Sequence, residues 1–156
     1  MAGQSDPWGT ARASNVTNPS VSEQRVFQVL PIPAGFHYCL SVFLRAAEPE
    51  VIGLGIEAAG RQLRKDVRAE SVWRRYSVSG SVGGTGDEVE CGVYVPSGAS
   101  IDLVGMQLEA QLGVSHYRET DQQGGVYSNA RFVSDRLMWT TEGLNAHSTV
   151  IEVVGW

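Results

Sequence analysis

Along this chain apolar residues recur at every second position in short runs separated by glycine, proline and polar residues, the pattern of half-buried β-strands rather than of helices. The most regular stretch is CGVYVPSGASIDLVGMQLEAQLGVSHYRET, residues 91–120. It divides into a strand at 91–95, a Pro96-Ser97-Gly98 turn and a second strand at 101–109, and reads as a hairpin of a β-sandwich. Because successive side chains point to opposite sides of a sheet, the second strand sets Val104, Met106 and Leu108 on one face and Gly105, Gln107 and Glu109 on the other.

The same reading finds strands elsewhere. In RVFQVL (25–30) Val26, Gln28 and Leu30 oppose Phe27 and Val29, and a PIPAG turn follows. FHYCLSVFLR (36–45) is the most apolar run, with Tyr38, Leu40, Val42 and Leu44 on one face and His37, Cys39, Ser41, Phe43 and Arg45 on the other; apolar residues on both faces predict a central strand. The next strand, 51–58, carries Gly53 and Gly55, whose missing side chains predict a bulge, tight packing, or the close approach of another backbone or a ligand. Residues 61–70 hold only Leu63 and Val67 at helical spacing, so a hairpin arm or loop is preferred to a helix. SVWRRYSVS (71–79) is a strand with Trp73, Arg75, Ser77 and Ser79 on one side and Val72, Arg74, Tyr76 and Val78 on the other. The glycine-rich 80–88 is a loop; Asp87 and Glu88 follow where a phosphate cradle would need a helix N-terminus. Beyond Thr120, YSNARFVSD, RLMWTTEG and HSTVIEVV read as three short strands separated by Asp135-Arg136 and by Gly143-Leu144-Asn145. They cannot bury a core alone. The chain is therefore expected to comprise a domain at 1–120 and a short β extension at 121–156 that docks on the sandwich or on a neighbour, with homo-oligomerisation or attachment to a parent polypeptide through that extension.

Composition supports an all-β chain with many tight turns: 156 residues suit one domain, and 18 glycines, four tryptophans and 19% charged residues suit a helical bundle poorly. The net charge of −5 argues against a nucleic-acid partner. The cations are 11 arginines and Lys65, spread along the chain, and the densest patch, 61–75, is interrupted by Asp66 and Glu70. No run approaches the ~18 apolar residues that span a bilayer, and the start MAGQSDPWG lacks the profile of a signal peptide, so no membrane partner is expected. The abrupt ends read as those of a piece of a longer polypeptide.

Catalytic signatures are missing from the sequence. There is no G-x-S-x-G elbow, H-E-x-x-H pair, Walker A loop or C-x-x-C motif, and His37, His116 and His147 lie in separate elements. Glu90 and Glu109, if they faced each other across the hairpin, would be a glycosidase-like carboxylate pair, but nothing else suggests hydrolysis and no enzyme is expected. Cys39 and Cys91 both sit mid-strand, where free core thiols are favoured over a bridge.

Several stretches carry a family resemblance. Asp6-Pro7-Trp8-Gly9, Trp73-Arg74-Arg75-Tyr76-Ser77, and Gly105-Met106-Gln107-Leu108-Glu109 followed by Tyr117 resemble motifs of the carbohydrate-binding-module-like jelly-roll domains of phage tail proteins and secreted bacterial proteins. The resemblance covers 6–120. It implies a jelly-roll β-sandwich of two antiparallel sheets and a non-catalytic module that binds glycan, with a structural or assembly domain that has no glycan ligand as the alternative. It also implies an extracellular, virion or prophage-particle setting. Sugar-binding relatives often hold a structural calcium partly through an aspartate of the closing strand; the matching region here is Gly105-Met106-Gln107, and no cofactor is expected. Sugar recognition needs aromatic rings for the C–H faces of pyranoses and planar polar groups for paired hydroxyls. The candidates on non-core faces are Trp73, Arg75, Tyr94, Gln107 and His37, with Trp73 equally readable as a packing anchor.

Overall fold

Eight strands in sequence order form two four-stranded antiparallel sheets. They are β1 (Ser14–Thr17), β2 (Gln24–Leu30), β3 (His37–Arg45), β4 (Glu50–Ala58), β5 (Arg61–Ala69), β6 (Arg74–Ser81), β7 (Val89–Val95) and β8 (Ser100–Glu109). One sheet has the order β1-β8-β3-β6 and the other β2-β7-β4-β5. The computed structural model describes residues 5–118 in full and, beyond them, the backbone of 135–140 and 148–153. Among these residues there is no helix. The strand orders are those of a jelly roll, in which the chain switches sheets at almost every connection.

Of the connections among these eight strands, only β4 to β5 is a hairpin. Its turn residues Ala59 and Gly60 both have positive φ (49° and 73°), as a two-residue turn matched to the sheet twist requires. Residues 61–70 are thus the hairpin arm expected. By contrast, the stretch 91–109 is not a hairpin: β7 and β8 lie in different sheets, and the Pro96-Ser97-Gly98 turn carries the chain across the sandwich. The buried side chain of Asn18 fixes this crossing, donating through Nδ2 to the carbonyls of Val95 (2.9 Å) and Pro96 (3.1 Å). Glu90 and Glu109 consequently occupy opposite sheets, and the carboxylate pair weighed from sequence does not form.

The core lies between the sheets. Tyr38, Leu40, Val42 and Leu44 of β3 meet Ile52, Leu54 and Ile56 of β4 and Val89, Cys91, Val93 and Val95 of β7. As expected, β3 is central, with β8 and β6 on its two sides. The alternation in β8 is interrupted, because the register against β3 shifts between Ser41 and Phe43. Gly105, at φ 66°, supplies the extra residue of this bulge. Leu103, Met106 and Leu108 pack on the core, while Val104 pairs with Phe43 on the outer side, opposite to the face that strict alternation assigns it. Both cysteines are free and buried.

The chain divides into two compact units, Met1–Tyr117 and Arg118–Trp156. In the second, β9 (Asp135–Thr140) pairs antiparallel with β10 (Ser148–Val153), Thr140 opposite Ser148. These are the expected RLMWTTEG and HSTVIEVV strands, except that Asp135-Arg136, read as a separator, opens β9. The expected strand YSNARFVSD lies almost wholly outside the described residues.

Candidate ligand-binding face

The sandwich has two outer faces, and the chain covers one of them itself. On the β1-β8-β3-β6 sheet Trp8, from the segment before β1, stacks on Tyr117, from the segment after β8, at 4.8 Å between ring centroids; Phe43 of β3 meets both edge-on at 5.1 and 5.8 Å. Tyr117 fits because residue 105 is glycine: a Cβ there would lie 2.8 Å from the ring. Segment 110–117 is tied down across β6 and β8. Ser79 Oγ donates to the Leu112 carbonyl at 2.7 Å, the Arg75 guanidinium donates to the Ser115 carbonyl, and the Ser115 amide and hydroxyl donate to the Glu109 carboxylate.

Four of the five sequence candidates belong to this covered side. Arg75 also donates to Ser41 Oγ (2.9 Å) and lies over the Phe43 ring; burial pulls its guanidinium below the ordinary value, partly offset by Glu109. Gln107 is buried and within 3.4 Å of Ser115 Oγ. His37 Nε2 and Ser79 Oγ are 3.0 Å apart. Trp73, half-buried just before β6, donates its indole N–H to the Ser5 carbonyl (3.1 Å) and carries the Arg45 guanidinium 4.8 Å above its ring; Arg45 is itself paired with Asp102 at 2.6 Å. These side chains share a sheet, but their polar groups are turned to internal partners.

Tyr94, the fifth, lies on the other sheet. The outer face of β2-β7-β4-β5 carries Arg25, Phe27 and Val29 from β2, Glu90, Gly92 and Tyr94 from β7, Gly53, Gly55 and Glu57 from β4, and Gln62, Arg64 and Asp66 from β5, as the register requires. Glycine makes the seat for its large residues. A Cβ at Gly55 would lie 2.5 Å from the Tyr94 ring, and one at Gly53 would lie 2.8 Å from the Arg64 guanidinium. The close approach expected at these two glycines is therefore that of side chains from neighbouring strands.

Tyr94 is only 7% exposed. Arg64 covers its ring at 4.7 Å and Arg25 approaches at 6.0 Å. Its hydroxyl donates to Glu57 and accepts from Gln62 Nε2 at 2.8 Å. Arg25 NH1 donates to Glu57 (3.0 Å) and to Glu90 (3.3 Å), and its guanidinium lies 4.7 Å over Phe27. Arg64 grips Glu23 with two bonds (2.8 and 2.9 Å) and Asp66 with a third, which holds the guanidinium charged and the Glu23 carboxyl below its usual range. Between these groups lies a shallow, half-open cleft lined by Arg25, Phe27, Gly55, Glu57, Glu90 and Tyr94 among others. Phe27, 47% exposed, offers an apolar ring beside it.

Sequence reasoning missed Phe27, Arg25, Glu57, Gln62 and Arg64. Alternation in RVFQVL separates Phe27 and Val29 from Val26 and Leu30, but both faces hold apolar residues and the outer one is not marked. The spacing of Gly53, Gly55 and Gly92 was the available signal.

No group of three or more His, Cys, Asp or Glu disposed to hold a metal occurs among the described residues. In the region matching the calcium aspartate, Gly105 seats Tyr117, Met106 packs on the core and the Gln107 amide faces Ser115. Nor is any helix among the described residues long and apolar enough to cross a membrane.

Strand order and the two-sheet core define a jelly-roll β-sandwich. Among solved structures the chain resembles the enzymatically active domain of bacteriophage CBA120 tailspike protein 4, with a TM-score of 0.54 at 11% identity over 69% of this chain and 17% of that one. It also resembles a CBM4 carbohydrate-binding module, with a TM-score of 0.51 at 13% identity over 64% of this chain and 71% of that one. At these identities the likeness is one of fold. No protein-family model and no curated protein sequence matches the chain.

Proposed function

We propose that this chain is a non-catalytic carbohydrate-binding-like module whose glycan lies on the outer face of the β2-β7-β4-β5 sheet, within a larger surface, secreted or phage-tail-like protein. The observation that supports this most is the Tyr94 cleft: the exposed Phe27 ring offers a surface for a pyranose C–H face, and Arg25, Glu57 and Glu90 line the cleft with planar polar groups that can bind hydroxyls. The cleft is far smaller than the ~300–1,000 Å³ of an enclosing ligand pocket, so a glycan would lie across it rather than enter it. Tyr94 serves as the floor rather than as a stacking platform, because two guanidinium groups already cover it.

A glycan array at high protein concentration, followed by titration calorimetry on the strongest ligand, tests the reading. Phe27→Ala is expected to weaken binding at least about tenfold with little change in melting temperature, since the ring is half exposed. Silence across the array, or unchanged affinity in Phe27→Ala, would overturn it. The second reading is a structural or assembly domain without a glycan ligand. Size-exclusion chromatography with light scattering separates the two, a clean monomer weakening the assembly role.

A further inference from the structure

The two arginines of the cleft would ordinarily suggest an acidic sugar, but neither has charge to spare. Arg25 lies on Glu57 and Glu90, and Arg64 lies on Glu23 and Asp66, so two cations against four carboxylates leave a formal charge of −2 around Tyr94. The carboxylates are also unevenly satisfied. Glu57 and Glu90 stand directly opposite each other on β4 and β7, where like charges repel. Arg25 bridges them with one nitrogen, and the hydroxyl of Tyr94 and the amide of Gln62 add to Glu57 on the same oxygen, Oε1. Oε2 of Glu57 and Oε1 of Glu90 therefore make no hydrogen bond among the described residues, and both residues line the cleft.

An ammonium group entering there would find two free acceptors and a negative field, whereas a carboxylate or sulfate would meet both as repulsion. We propose that the cleft selects glycans bearing a primary amine, of the glucosamine type, over neutral glycans and against acidic ones. This rests on the glycan-binding reading and names the ligand class for the same site. The carboxylates are about a third exposed, so the preference is modest: roughly tenfold, equivalent to about 1.4 kcal/mol.

Titration calorimetry at about pH 6, where a primary amine is protonated, compares a β-linked glucosamine oligomer with its N-acetylated counterpart of equal length, with an oligogalacturonate and with oligolysine. The expected result is affinity for the glucosamine oligomer roughly tenfold above that for the acetylated one, loss of most of that margin near 0.15 M salt, where the screening length is about 8 Å, and no binding of the galacturonate. Glu90→Gln should bring the two oligomers to within about twofold of each other while leaving the melting temperature unchanged, and a margin kept at tenfold in that variant would overturn the charge selection. Equal or tighter binding of the acetylated oligomer would overturn the charge selection and leave the glycan reading standing. Failure of every oligosaccharide would overturn both. Oligolysine binding as tightly as the glucosamine oligomer would make the cleft a cationic-peptide site and overturn the proposal.

Discussion

Substituting Gly55 by alanine tests whether glycine seats Tyr94. The added methyl group would lie 2.5 Å from Cε2 and 3.0 Å from the hydroxyl oxygen of Tyr94. Ordinary carbon contacts are about 3.5–4.0 Å, so the ring must move by about 1 Å, yet it is held by Glu57 and Gln62 and covered by Arg64. Overpacking of this kind costs about 1–3 kcal/mol, and loss of one hydroxyl bond adds about 1 kcal/mol, giving about 2–4 kcal/mol for Gly55→Ala. In a Tyr94→Ala background the obstacle is gone, and alanine should be slightly favoured over glycine in a strand, by about 0.5–1 kcal/mol. Urea unfolding of wild type, both single variants and the double variant measures the coupling, expected at about 2.5–5 kcal/mol. Additivity within about 0.5 kcal/mol would show that the two residues do not meet as described.

Three other outcomes are expected. Trp73→Ala should lower stability by about 1–2 kcal/mol, for the lost Ser5 hydrogen bond and Arg45 contact, and leave glycan binding unaltered; an unchanged melting temperature, or lost binding, would return Trp73 to the ligand site. Burial pushes the Cys91 thiol from 9.0 up to about 12, so the folded state keeps a proton that the unfolded chain releases first; stability should hold below about pH 8.5 and fall as pH rises toward 12, less steeply in Cys91→Ala, and identical profiles by thermal melting would contradict this. Ala59, at φ 49° in the β4–β5 turn, should gain about 0.5–1 kcal/mol on replacement by glycine, and a lower melting temperature for Ala59→Gly would refute the assigned turn.

Which strands exist was legible because alternation is a local signal; which sheet each joins was not, because that depends on partners far along the chain. The turn at Pro96-Ser97-Gly98 looks the same whether it folds β8 back onto β7 or sends it across the sandwich, and what decides is Asn18, almost 80 residues earlier, bonded to Val95 and Pro96. Val104 was placed on the wrong face for a related reason: Gly105 adds one residue, and a bulge inverts every side-chain assignment on one side of it. The candidate residues scattered because alternation says which side chains share a face within one strand, and not which faces of different strands coincide. Hence Tyr94 and Arg75, both on outer faces, lie on opposite sheets.

That one sheet is covered by the segments beside it, and the other is not covered by any segment among residues 5–118, follows from the topology. In this jelly roll β1 and β8 are neighbours in one sheet, so the segment leading into β1 and the segment leaving β8 both emerge beside that sheet. Trp8 and Tyr117 come from those two segments, and their stacking over Phe43 closes the face with the segments that flank the eight strands. The motifs that carry the sequence resemblance, Asp6-Pro7-Trp8-Gly9, the Trp73 strand and the Tyr117 tail, are the parts of this closure, which explains why they report the fold and contribute no groups to the opposite cleft. The β2-β7-β4-β5 sheet holds neither end of the roll. Its outer face is left to side chains of the strands themselves, and there a ligand can compete for Phe27, Glu57 and Glu90 without displacing any backbone.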